Sequence, residues 1–299
     1  MQDYRAPIRR NLQTIHAYHK TDFLFGTWTN DYSSLKDHAI QCHWHDDLEF
    51  HLVLQGQIDL YLNGSLLQLE TGDCVFINGN ILHTSQQGKN SECSLMLITA
   101  FHPQIFSSSL GDQIYRKYFD SLLQHTNGFL IDRKLSCGQR IAELLRELHA
   151  FDKNQEGYEL LCLHQLSNIW YQTVQYMNQT VDMTYIPDLK KSNSIEVKKI
   201  LAYIHDHYDQ PMEIEDLLRC SNLSRSECFR SFKRFIGKTP IEYINEYRLS
   251  QSAVMLTNTD RNVMEISISC GFTSPSYYGK LFKEKYGLSP LAFRNRNCK

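Results

Sequence analysis

Two stretches of this chain repeat each other at a constant offset of fifty residues: Ser224-Arg-Ser-Glu-Cys-Phe-Arg-Ser-Phe-Lys-Arg-Phe-Ile-Gly-Lys-Thr-Pro240 and Ser274-Pro-Ser-Tyr-Tyr-Gly-Lys-Leu-Phe-Lys-Glu-Lys-Tyr-Gly-Leu-Ser-Pro290. Each copy carries its own helix start and stop signals. Ser224 is followed three residues on by Glu227, a capping box, and Thr239-Pro240 with Glu242 repeats the device, the proline taking the first helical position. Ser274-Pro275 and Ser289-Pro290 use it again in the second copy. Gly237 and Gly287 stand where each helix must stop, and a left-handed cap residue is cheap only for glycine. The last third of the chain is therefore expected to be helical throughout.

The faces of the repeated helices differ in chemistry. Cys228, Phe232 and Phe235 recur at helical spacing, as do Tyr278, Leu281 and Phe282, and these are expected to face a core. Ser226, Phe229, Arg230 and Lys233 are left outside in the first copy, and Ser276, Gly279, Lys280 and Lys283 in the second. A helix-turn-helix buries one stripe of its second helix and lays the rest in the major groove, and two such helices about one duplex turn apart, ~34 Å, can read successive grooves. Arg230 can bond guanine O6 and N7 together, and Phe229 can pack on a thymine methyl. Gly279 would let the backbone come close. Lys233 and Lys283, one turn on, suit phosphates, which set affinity and salt dependence but not sequence choice. Arg225 and Tyr277 are counted with this DNA-contacting set. Two blander readings compete: amphipathic helices with solvated lysines, and a module whose helices contact protein.

Charge is divided along the chain. From Ser194 onward there are 16 Lys and Arg against 12 Asp and Glu, a net +4, and the rest of the chain is net −6. Only the basic part is suited to approach a polyanion. No apolar run reaches the ~18 residues of a membrane span, and the start, Met1-Gln-Asp-Tyr-Arg, lacks a signal peptide's apolar segment. Nine scattered cysteines without a Cys-x-x-Cys pair imply buried thiols in a reducing cytoplasm, not a zinc or disulfide framework. There is no nucleotide-binding loop, nucleophile elbow or His-Glu-x-x-His run.

The N-terminal part reads as short strands. Leu48 to Leu54, Gln57 to Leu62 and Cys74 to Ile77 are separated by Gly56, Asn63-Gly64 and Thr71-Gly72-Asp73, and Asn-Gly between such runs marks a hairpin. This spacing predicts a small antiparallel barrel or sandwich over about 20–105. Helices follow over about 111–178, with Ile141, Leu144, Leu145 and Leu148 on one face, and Leu163, Leu166, Ile169, Trp170 and Val174 on another. They serve either as core or to pair two copies of the chain. Residues 179–193 read as a polar linker.

Residues from about Glu196 to Arg296 resemble the C-terminal domain of the AraC/XylS family of bacterial transcription regulators. The resemblance lies in Ile266-Ser-Ile-Ser-Cys-Gly-Phe-Thr-Ser-Pro-Ser-Tyr-Tyr-Gly-Lys-Leu-Phe-Lys-Glu-Lys-Tyr-Gly-Leu-Ser-Pro290, similar to that family's signature, and in Ile214 to Ser226, similar to its first helix-turn-helix. It implies helix-turn-helix units at 214–236 and 263–286 within a DNA-binding domain over 194–299, with Ile241 to Leu256 as the helix joining them. It also implies an effector-binding N-terminal domain over 1–178. Departures from the family pattern are Ser231 and Cys228, where larger apolar residues are usual, and Gly279, a poor helix former.

Near the start of the strand region, His43-Trp-His45 is followed by Glu49 and then Gly56, and Gly72 precedes His83 by eleven positions. The spacing resembles the first cupin motif and half of the second, with Asn78 and Asn80 in place of the expected proline and glycine. On one continuous strand His43, His45, Asp47, Glu49 and His51 would share a face. Three readings stay open. In metal-binding cupins the matching residues His43, His45, Glu49 and His83 hold a divalent ion, and such a ligand set suits zinc, iron, nickel or manganese. In many regulators of the resembling kind the barrel is a metal-free effector pocket, often for a sugar, with aromatics such as Trp28 stacking on it; this is the preferred reading. In the third, the histidines are ordinary surface or core polar residues.

The expectation is an α+β chain of two domains: an antiparallel, cupin-like β-barrel with flanking helices, then an all-α domain with two helix-turn-helix motifs. It would be a cytoplasmic, sequence-specific transcription regulator, by family habit more often an activator, responding to a small molecule such as a sugar. The partners expected are promoter DNA, the effector, RNA polymerase and a second copy of the chain, with no membrane and no cofactor. The alternative is a metal-dependent cupin enzyme carrying a DNA-binding tail.

Overall fold

The computed structural model describes residues 23–35, 38–106, 112–120, 123, 126–180 and 193–297. Residues 1–22, and the segment 181–192 that makes up most of the expected linker, lie outside the described residues. The chain divides into two compact units, Met1–Ser192 and Asn193–Lys299.

The first unit contains β1 (Phe25–Asp31), β2 (Ala39–His43), β3 (Leu48–Gln55), β4 (Gln57–Leu62), β5 (Ser65–Glu70), β6 (Cys74–Ile77), β7 (His83–Gln87), β8 (Leu95–Phe101) and β9 (Gly128–Ile131). They form two antiparallel sheets, ordered β1-β8-β3-β6-β9 and β2-β7-β4-β5. The Asn63-Gly64 signal is a two-residue hairpin between β4 and β5, with Leu62 opposite Ser65. Both turn residues have positive φ, 46° and 82°, which matches the strand twist.

β3 is buried on both faces. Leu48, Phe50 and Leu52 pack outward with Phe76 and Phe101 against two helices, α1 (Ser136–His149) and α2 (Tyr158–Thr180). Val53 faces inward, where Ile58, Leu60 and Leu62 of the second sheet meet Val75, Ile77, Met96 and Ile98 of the first. The helices' apolar stripes are thus core: Ile141, Leu144, Leu145, Leu166, Ile169 and Trp170 all belong to the cluster over the five-stranded sheet. Tyr176 pins α2 to that sheet, its hydroxyl donating to Leu130 O (3.0 Å) and accepting from Asp132 N (2.9 Å). The opposite side of α2 still shows Leu160, 73 % exposed, and Tyr171, 58 % exposed. Among the described residues no helix is long and apolar enough to cross a membrane.

The second unit is α3 (Ser194–His207), α4 (Ile214–Arg219), α5 (Arg225–Ile236), α6 (Pro240–Asn258), α7 (Val263–Ser269), α8 (Pro275–Tyr286) and α9 (Pro290–Asn297). Capping boxes close the starts of α5 and α6, and Asn262 with Glu265 forms another at α7. Gly237 and Gly287 end α5 and α8 in the left-handed conformation, at φ 78° and 70°. The departures at 228 and 231 are absorbed locally. Cys228 is fully buried, and buried Ser231 accepts a hydrogen bond from Asn193 Nδ2 at 3.0 Å. Six of the eight described cysteines are buried and none of the eight is in a disulfide.

Arg248 on the long helix α6 joins the two halves of this unit. Its Nε donates to Tyr208 O (2.8 Å) and its Nη2 to Gln210 O (2.7 Å), just after α3. The same guanidinium lies over the Phe272 ring, 5.9 Å from its centroid, in the turn before α8. Gly271 in that turn has φ 80°, and a Cβ there would lie 2.9 Å from the guanidinium carbon. Arg248 is itself buried, and removing its charge-assisted donors breaks both part-buried bonds and its packing on Phe272. Arg248→Ala is therefore expected to cost about 2–4 kcal/mol of stability in urea unfolding followed by circular dichroism. A loss below about 0.5 kcal/mol, the scatter of an ordinary surface substitution, would contradict this role.

Candidate nucleic-acid interface and a buried histidine cluster

The outward face of α5 is set by its cap. Glu227 accepts from Ser224 N (2.9 Å) and Ser224 Oγ (2.6 Å), so the one acid in its first turn is folded back onto the helix start. Those bonds hold its carboxyl below the usual range. Arg225, Ser226, Arg230 and Lys233 are exposed and Phe229 is half-buried, while Cys228, Phe232 and Phe235 are buried. On α8 Ser276, Tyr277, Lys280 and Lys283 are exposed, Gly279 is half-buried, and Tyr278 and Phe282 are buried. A Cβ at Gly279 would meet nothing within 4 Å, so packing does not demand glycine there.

Within the expected set, Ser226 Oγ lies 3.4 Å from Ser224 Oγ and Lys280 Nζ 3.9 Å from Glu284 Oε1, and two further members have partners on other helices. Arg225 Nη1 pairs with Glu215 Oε1 of α4 at 2.6 Å. Tyr277 Oη accepts from Asn245 Nδ2 of α6 at 3.2 Å. Both pairs are solvent-exposed, and exposed ion pairs contribute little, so Arg225 stays available to a phosphate.

The second site lies between the sheets of the first unit. His43, His45, Asp47, Glu49 and His51 do not lie on one strand, as a continuous period of two would have it. β2 ends at His43 in the four-stranded sheet and β3 begins at Leu48 in the five-stranded one. The chain crosses between sheets at 44–47, and His43, His45, Glu49 and His51 converge because they approach the interior from both sides. His43 is directly opposite His83 in the β2–β7 pair, with ring centroids 4.2 Å apart. The His45 and His83 rings are 5.1 Å apart. Ligand atoms of His43, His45 and His83 lie within 4.8 Å of one another, as do those of Glu49, His51 and His83. Asp47 is buried but stands outside both groups; its carbonyl oxygen faces His45 Nδ1 at 3.1 Å.

Glu49 sits at the centre. It is 2.6 Å from His51 Nε2, 3.2 Å from His45 Nε2 and 3.5 Å from His83 Nε2. Burial would raise its carboxyl, but the neighbouring His45 and His51 outweigh this and hold it well below the usual range. Burial, with His83 and His45 close by, holds His43 well below the ordinary imidazole value, and burial lowers His51 as well. The cluster is thus an anion ringed by imidazoles, able to hold a cation or to bond a polar ligand. His51 belongs to it although the cupin-like spacing does not include it; its place on the His43-to-Glu49 alternation was the available signal.

The turn around the replaced proline and glycine is sound. Asn78 Nδ2 donates to Leu123 O and Thr126 O, both at 2.7 Å. Asn80 takes a left-handed φ of 61°, which asparagine tolerates, and its N–H bonds His45 O at 2.6 Å. Trp28 lies on the same interior face, opposite Ile98, which is in turn opposite His51. It is half-buried against the aliphatic interior.

Comparison with known proteins agrees with both halves. The AraC-like ligand binding domain family matches residues 32–169, and the helix-turn-helix domain family matches residues 217–296. The HTH-type transcriptional regulator YdeC of Bacillus subtilis (strain 168) is 26% identical over 97% of this chain and 98% of its own. The Msm operon regulatory protein of Streptococcus mutans is 24% identical over 83% and 84%. The melibiose operon regulatory protein of Escherichia coli (strain K12) is 22% identical over 84% and 82%. This chain belongs to the AraC family of transcriptional regulators, with an AraC-like ligand-binding domain ahead of a DNA-binding helix-turn-helix domain.

Proposed function

We propose that the protein binds specific promoter duplexes through α5 and α8, and that a small polar molecule, a sugar or related metabolite, held between the sheets adjusts that binding. The observation that carries the reading is the pair of capped helices with buried aromatic stripes and outward Arg230, Lys233, Lys280 and Lys283. Arg230 reads a base, and Lys233 and Lys283 neutralise phosphates. The name of the Escherichia coli relative ties it to the melibiose operon, and melibiose is a sugar. Sugar hydroxyls suit the polar cluster, with Trp28, two strands or about 10 Å from His51, to stack on a ring. A second copy of the chain docking on the outward side of α2, RNA polymerase beside the bound promoter, and a cytoplasmic setting complete the reading. Relatives named as regulators favour it over the metal-dependent enzyme.

The test is fluorescence anisotropy with a duplex selected by the full chain from a random library. Affinity should fall with salt at a log–log slope of about −0.9 per phosphate neutralised. Arg230→Ala and Lys280→Ala should each weaken binding and relax preference at one base pair by about 5- to 150-fold. Lys233→Ala should weaken all sequences alike and reduce the slope by about 1. Unchanged affinity and preference in the first two variants would refute the interface.

Gly279→Ala separates stability from recognition. It should stabilise α8 by about 1 kcal/mol in urea unfolding, while weakening duplex binding if the backbone approaches DNA there. For the effector, a thermal-shift series against mono- and disaccharides should raise the melting temperature with at least one sugar, since a ligand at 100 times its Kd adds about 2.7 kcal/mol. No shift with any would remove sugars from the reading.

A further inference from the structure

We infer that His43, His45, His83 and Glu49 bind one divalent first-row transition-metal ion, with His51 positioning the carboxylate. This rests on reading the first unit as the ligand-holding half, and it names the chemistry of that same site.

The tautomers carry the argument. His43 Nδ1 faces Gln41 O (2.9 Å), His45 Nδ1 faces Asp47 O (3.1 Å) and His83 Nδ1 faces Ile81 O (2.8 Å). A carbonyl only accepts, so each Nδ1 carries the proton and donates. Each ring therefore presents Nε2 to the cluster, the arrangement in which a backbone carbonyl fixes a metal-binding imidazole. Nε2 of His83 is buried and makes no hydrogen bond. Leaving such an atom unpaired costs free energy that a bound cation would recover.

Spacing fits as well. Two ligands about 2.1 Å from one ion are separated by about 3.0–3.4 Å in octahedral or tetrahedral arrangements. The Glu49 oxygens lie 3.2 Å from His45 Nε2 and 3.5 Å from His83 Nε2. His43 groups within 4.8 Å with His45 and His83 but not with Glu49, so its ring must move toward the carboxylate to complete the set. His51 has the other tautomer: its Nε2 must donate to Glu49 Oε2 at 2.6 Å, because a carboxylate cannot. It thereby orients the carboxylate from behind. Three imidazoles and one carboxylate select zinc, iron, nickel, cobalt or manganese over calcium and magnesium, which prefer oxygen.

The experiment uses the full chain stripped with a chelator, then titrated with zinc by calorimetry and with cobalt by visible absorption. Saturation at one equivalent per chain and a higher melting temperature are expected. Glu49→Gln keeps the side-chain shape and His83→Ala removes a ligand; both should lose saturable binding, with circular dichroism confirming the fold. His51→Gln should keep one equivalent at about 10- to 100-fold lower affinity, as for other residues behind a ligand. No saturable uptake by the unmodified chain would overturn the inference, and so would unaltered binding by folded Glu49→Gln. Duplex binding is measured on the same samples. A chain that takes no metal but still binds duplex in response to a sugar overturns only the metal site. A chain that takes one equivalent but binds no duplex supports the site and overturns the proposed function.

Discussion

A carboxylate at 2 % exposure is tolerable only with partners, and the ligand-binding end of the first unit is arranged around that constraint at Glu49. Its strand puts Leu48, Phe50 and Leu52 under the helices, so the intervening residues must face the other sheet. His51 follows from the same alternation. His83 arrives from β7 across the interior, paired with His43, and His45 is held by the Asn80 contact. Each of these placements is a backbone consequence, with side-chain chemistry added last.

Duplication accounts for the second unit, but two copies alone would not fix a relation between the repeated helices α5 and α8. α6 supplies it. Arg248 bonds carbonyls that follow α3 and covers the ring of Phe272 that precedes α8. Here the repeat is broken usefully. The position of Gly271 is Ser221 in the first copy, where the hydroxyl bonds Leu217 O instead of making room for a guanidinium. One buried cation thus couples parts that local sequence similarity would leave as separate modules.

Local chemistry made much of this legible beforehand. Caps at Ser224, Thr239 and Ser274, stops at Gly237 and Gly287, the Asn63-Gly64 hairpin and the buried stripes of α5 and α8 all depend on residues within a few positions of one another. What could not be read depends on distant partners. A period of two does not reveal that 44–47 carries the chain from one sheet to the other. Asn78 and Asn80 look like losses until Leu123, Thr126 and His45 come into contact with them. Arg248 resembles any surface arginine on a helix until α3 and the turn before α8 close over it.

The strand that holds the site also limits how a ligand could be felt elsewhere in its unit. Inward residues of β3 make the histidine cluster and outward residues make the bed of α1 and α2. A ligand shifts an equilibrium only through differential contact with two arrangements. Any arrangement that moves Glu49 or His51 relative to the second sheet must carry Phe50 and Leu52 with it, since close-packed interiors do not absorb such shifts continuously. Phe50 packs on Phe76 at 5.3 Å and Phe76 on Trp170 at 5.7 Å, so the first rigid body it meets is α2. The opposite side of that helix carries Leu160 and Tyr171 in solvent. A ligand held at the cluster would therefore meet α2 before any other helix along this path.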